Sequence, residues 1–282
     1  MDLRKLKTLI DLVSESSISE LEITEAEGKV RIVKAGAAGA APSDGPHVEY
    51  YDSGTRAKKR AEGAYAQGQK NGPWSYWFED GKLALQGVHL DGQFHGVWLE
   101  NWPSGAKRSE KTWTRGAQDG AETTWHENGA VHEKAAWKEG RRQGAYEQRF
   151  DTGALKRQGA FLDGGQDGVW KAWHPNGAVQ VESTWEKGQQ TGPFAEYYED
   201  GALRAKGAAV EGKWQGPFLE QWPNGKKKRE GAYEAGVQVG PWTAWFEDGA
   251  KASEGAYAAG VQDGPWRSYH PDGSLHMEGA YA

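Results

Sequence analysis

The chain has no cysteine, only two methionines and no apolar run long enough to cross a bilayer. Without cysteine there is no disulfide framework and no thiolate zinc site. The charged, amphipathic start lacks an apolar signal core, which predicts a soluble cytoplasmic protein. Basic charge is also in short supply: the net charge is -6, and mean hydropathy is -0.85. That balance argues against nucleic acid, and against an anionic membrane, as the main partner. Catalytic signatures are missing as well. There is no G-x-S-x-G elbow, no phosphate-cradling G-x-x-x-x-G-K and no H-E-x-x-H. The expectation is a non-enzymatic protein with no catalytic residue, no cofactor and no metal.

Glycine and tryptophan are abundant, with 40 and 15 copies in 282 residues. The glycines fall on three lattices of period 24. One runs through Gly72, Gly96, Gly120, Gly144, Gly168, Gly192, Gly216, Gly240 and Gly264; a second holds Gly81, Gly105, Gly129 and their successors; a third starts at Gly92. A fixed period of this size marks stacked supersecondary units that grow along one axis without a central core. Asn128-Gly129 and its counterparts, such as Asp80-Gly81, predict a two-residue hairpin turn between aromatic-rich strands. That turn sets Gly120 opposite Trp137 and Trp74 opposite Gly87, so an aromatic faces a glycine twice per hairpin. Gly87 is then expected to lie beneath Trp74, and Phe78 to face Leu83 on the packed face. Near the turn the same count sets Trp125 opposite His132. Trp77, Trp125, Trp173, Tyr197, Trp245 and Tyr269 form an aromatic row on the other, more polar face. This row is the array's candidate partner-binding surface, with a cation–π contact expected between Arg204 and Tyr197.

The expected fold is mainly β, an elongated single-layer antiparallel sheet of 24-residue hairpins over residues 45–282. Ten hairpins are counted, the last incomplete. The pattern G-x-W-x-x-W-x-x-(D/N)-G with an E-G-x-Y return strand resembles the MORN-repeat family, closest to its bacterial variant often described as an antitoxin component. The resemblance implies a scaffolding and protein-contact role, with toxin binding as an alternative. A carbohydrate-binding module using the aromatic row ranks lower.

Residues 1–34 stand outside the repeat. Leu3, Leu6, Ile10 and Val13 recur at helical spacing, and Leu21 and Ile23 alternate with charge before a second alternating run at Val30 and Ile32. A helix followed by a hairpin is expected, a candidate docking element, joined to the array by the small-residue linker 35–44. The stretch MDLRKLKTLIDLVSESSISELEITEAEGKVRIVK resembles the N-terminal segment of the biotin carboxyl carrier subunit of bacterial acetyl-CoA carboxylase. The resemblance implies docking with the biotin carboxylase or carrier subunits. Biotin carriage does not follow, because that family's modified lysine lies between methionines and neither Met1 nor Met277 flanks a lysine.

Histidines at His126, His174 and His270 share one slot, and the turn count places His126 and His132 on opposite faces, unsuited to a metal. Glu110, Glu182, Glu230, Glu254 and Glu278 recur on the return strands and read as a solvated row. Lys226-Lys227-Lys228-Arg229, the main basic run, reads as a solvated edge. The exposed end strands are an association risk and the candidate route to self-association.

Overall fold

A computed structural model describes residues 20–25, 28–33, 43–51 and 58–282. The expected helix carrying Leu3, Leu6, Ile10 and Val13, and residues 35–42 of the linker, lie outside the described residues. Glu20–Glu25 and Gly28–Val33 form the expected hairpin, with Leu21 opposite Ile32 and Ile23 opposite Val30. From Gly45–Tyr50 to Leu275–Tyr281, 22 strands join in chain order into one antiparallel sheet. Two of these, Arg141–Arg142 and Lys213–Trp214, are short leading pieces of the strands that follow them, so the array consists of ten hairpins. The sheet is open. Among the described residues Leu275–Tyr281 pairs only with Val261–Tyr269, and all seven of its residues are exposed. Among the described residues no helix is long and apolar enough to span a membrane.

Two kinds of turn alternate, and the Asx-Gly slot is not the two-residue turn expected of it. The Asx-Gly slot makes a three-residue loop. Phe78 N donates to Lys82 O at 2.8 Å, Gly81 N donates back to Phe78 O at 2.9 Å, and Gly81 sits at φ +90°. The preceding Asx side chain caps the loop, as where Asn128 Oδ1 accepts from Ala130 N at 2.9 Å. Pro103, Pro175, Pro223 and Pro271 occupy the second turn position, where their fixed φ suits a type I turn. The true two-residue loops are the connectors. Glu186 pairs with Gln189, and Lys187 and Gly188 both take positive φ, +49° and +83°. This is the twisted turn that matches hairpin strands.

The three-residue loop shifts the local register by one and leaves one extra residue on each return strand. Trp125 therefore faces Val131, not His132, and Trp77, not Phe78, faces Leu83. Beyond the bulge the expected pairs are restored, Gly120 opposite Trp137 and Trp74 opposite Gly87, and Gly96 likewise faces Trp113. Register opposition does not decide where the ring lies, however. A Cβ added at Gly87 would meet Trp98 at 2.2 Å, and one at Gly63 would meet Trp74 at the same distance. Each indole folds back over the preceding hairpin, so Trp98, not Trp74, covers Gly87. Its Nε1 donates to the carbonyl just past the glycine: Trp74 to Ala64 at 3.1 Å, Trp98 to Val88 at 3.1 Å, Trp266 to Ala256 at 2.9 Å. A second bulge, where Gly72 takes φ +77° against the previous strand, breaks the ladder at this point. Trp74 and Trp98 are almost wholly buried, packed with Tyr65, Tyr76 and Phe94.

Candidate interaction surfaces

The glycine and the ring vary together along the array. Where the ring is Tyr146 the preceding slot is Ala135, and where it is Phe194 the slot is Ser183. Where a carboxylate, Glu122, replaces the ring, Lys111 replaces the glycine and pairs with it at 3.2 Å. A hollow opens at the smaller rings. Phe218 stands 3.3 Å from a Cβ placed on Gly207, and an apolar groove of about 810 Å³ runs past Pro193, Phe194, Gly207, Pro217, Phe218 and Pro241.

The predicted aromatic row is present but half-buried at Trp77, Trp125, Trp173, Tyr197, Trp245 and Tyr269. Lysines from the preceding hairpin lie over three of its rings: Lys59 at 5.8 Å from Trp77, Lys107 at 5.3 Å from Trp125 and Lys227 at 5.4 Å from Trp245. The expected partner of Arg204 is corrected. It lies over Tyr198 at 6.0 Å and holds Glu196 at 2.5 Å, because the bulge turns it away from Tyr197.

The slot after this row links neighbouring hairpins. His126 Nε2 meets Arg149 O at 3.2 Å, and His174 Nε2 meets Tyr197 O at 3.0 Å. Tyr198 Oη donates to Gln221 O at 2.8 Å, and Trp222 Nε1 donates to Trp245 O at 3.0 Å. These histidines therefore serve as cross-hairpin donors. The bulge also brings His126 and His132 together, at 4.7 Å between ring centres, contrary to the opposite faces expected from the turn count. Burial and the neighbouring His126 push the His132 imidazole down. Among the described residues no three His, Asp or Glu side chains are gathered as metal ligands.

The repeating carboxylates are matched by cations: Lys107–Glu110, Lys171–Glu182, Lys227–Glu230, Lys251–Glu254 and Arg267–Glu278. The hydrogen bond from Lys251 holds the Glu254 carboxyl below its ordinary range. Buried Glu133 accepts from Arg142 at 2.6 Å and Tyr146 at 2.9 Å. Burial and that carboxylate push the Tyr146 phenol up to about 12. The basic run is neutralised locally. Lys228 and Arg229 grip Glu220, Lys227 pairs with Glu230, and Lys226 caps Asp248 O. Burial alone would raise the Glu220 carboxyl, but hydrogen bonds and charge from Lys228 and Arg229 outweigh it and hold it low. Glu220 and Glu254, both held low, are the opposite of the raised carboxyl a general acid requires.

Residues 4–33 match a domain of unknown function, DUF8684. The N-terminal segment is 63% identical over 35 residues to the biotin carboxyl carrier protein of acetyl-CoA carboxylase from Haemophilus influenzae, covering 12% of this chain and 23% of that protein. The chain thus spans about a quarter of that relative's length. Two solved structures, of TcdB2-TccC3 and of TcdB2-TccC3-Cdc42, are each 11% identical over 93% of this chain and 18% of theirs. Their TM-scores, 0.16 and 0.18, are too low to bear on the fold. Residues 70–90, 166–187 and 262–282 match the MORN repeat variant, so the array carries MORN-type repeats behind a segment similar to a biotin carrier protein.

Proposed function

We propose that this chain is a non-enzymatic scaffold whose N-terminal segment docks on the acetyl-CoA carboxylase assembly, and so bears on fatty acid biosynthesis. The observation that carries the reading is the 63% identity over 35 residues to a biotin carboxyl carrier protein. The array is a continuous sheet of ring-packed hairpins, and its paired carboxylates support a binding role over a catalytic one. Sugar stacking on the aromatic row is disfavoured, because Lys59, Lys107 and Lys227 already lie over its rings. Affinity purification from native cells, with the full chain and with residues 1–44 deleted, tests the proposal. The full chain is expected to retain biotin carboxylase or carrier subunits and the deletion to lose them. Retention by neither form, or equally by both, contradicts docking through this segment. Recovery of a toxin by both forms would favour the antitoxin alternative.

A further inference from the structure

The repeat leaves complementary features unused at its two ends. Within the array, ring slots in successive hairpins cover the return-strand glycines Gly63, Gly87, Gly159, Gly231 and Gly255. Gly279, the same slot in the last hairpin, has nothing within 4 Å. The carbonyl just past each glycine accepts an indole N–H from the next hairpin. Ala280 O occupies that position, and among the described residues no indole reaches it. His270 occupies the cross-hairpin donor slot and, unlike His126 and His174, meets no carbonyl of a following hairpin among the described residues. The C-terminal edge is therefore missing the features that an incoming first strand supplies.

The chain has such a strand at its other edge. Gly45-Pro46-His47 repeats the Gly72-Pro73-Trp74 pattern, down to a positive φ of +117° at Gly45. Tyr51 N donates to Lys58 O inside its own hairpin, so by strand alternation the amides of Val48 and Tyr50 face outward. We propose that Leu275–Tyr281 of one chain pairs with Gly45–Tyr50 of a second copy, continuing the sheet head to tail. The internal register, in which Ser253 pairs with Ser268 and Glu254 with Arg267, sets Met277 opposite Glu49 and Glu278 opposite Val48. His47 then covers Gly279 with its ring N–H directed at Ala280 O, and His270 reaches Tyr50 O. Exposed Leu275, Met277 and Tyr281 lie on the strand that is covered. Such a contact joins two different surfaces and does not close on itself, so it propagates.

Sedimentation velocity of the full chain over a wide concentration range tests this. The mass is expected to rise past two protomers without a plateau. Gly279→Trp fills the ring seat in open space, and Val48→Pro removes an outward amide on a strand edge where proline is tolerated. Each variant alone is expected to be monomeric with an unchanged circular dichroism spectrum. Mixed, they are expected to form a dimer that grows no further, because each retains the edge the other lacks. A wild-type chain that stays monomeric overturns the proposal. So does a Val48→Pro chain that still dimerises, which would mean pairing of two C-terminal edges.

Discussion

At the residue scale, the period of 24 is set by a ring and the gap beneath it. Gly87 has no room for a methyl group because Trp98 already occupies the position. Gly87→Ala is therefore expected to cost about 2 kcal/mol of stability, the cost of overpacking a core. In a Trp98→Phe background the same change is expected to cost much less, since the Ser183–Phe194 pair already accommodates that combination. A double-mutant cycle on melting would measure the coupling, and additive losses would contradict the ring-over-glycine assignment. His89 makes a second test. It is 5% exposed, between Tyr76 Oη at 3.2 Å and Gly92 O at 3.2 Å, and burial pushes its pKa down. Because the folded pKa lies below the unfolded one, the folded state resists protonation. The stabilising contribution is fully present above the ordinary imidazole value of about 6.5 and declines as pH falls below it. His89→Phe, which restores the aromatic found in most sister hairpins, is expected to flatten the acid arm of the melting profile. An equally steep profile would contradict the assignment.

At the element scale, the hairpin is held by turn chemistry within it and by donors across to the next. His174→Phe keeps a ring but loses the bond to Tyr197 O. It is expected to cost about 1 kcal/mol, read as a lower melting temperature, whereas His174→Tyr is expected to retain most of the stability because Tyr198 already makes the equivalent bond. Equal losses in both variants would show that the slot needs only bulk. The hairpins themselves were legible in the sequence: period, strand identity and the outer register follow from glycine and tryptophan spacing alone. The turn types were not. Asp-Gly and Asn-Gly suit a two-residue turn and a three-residue bulged loop equally well, and only the cross-strand hydrogen bonds separate them. The connectors concealed their positive φ because residues such as Lys187, Arg115 and Ala235 hold the first position in place of asparagine or glycine. That one-residue difference at the turn is why the partners of Arg204 and His132 were misassigned.

At the scale of the whole molecule, stability is distributed along one axis, and each hairpin depends on its neighbours. In the monomeric Val48→Pro chain, hydrogen exchange is expected to run fastest in Leu275–Tyr281, which there pairs on one side only, and slowest in the middle hairpins. Uniform protection along residues 58–282 would contradict the one-dimensional account. Function divides along the same axis. The repeats supply a sheet with paired charges and covered rings, and the docking proposal rests on the first 34 residues, whose similarity to a carrier protein could be read from sequence while a mode of docking could not. The most direct test is calorimetric titration of the full-length chain with purified biotin carboxylase. Saturable binding is expected, lost in Leu6→Asp/Ile10→Asp and kept in Gly279→Trp. No binding, or binding that the paired Asp substitutions leave unchanged, would contradict the proposed docking role.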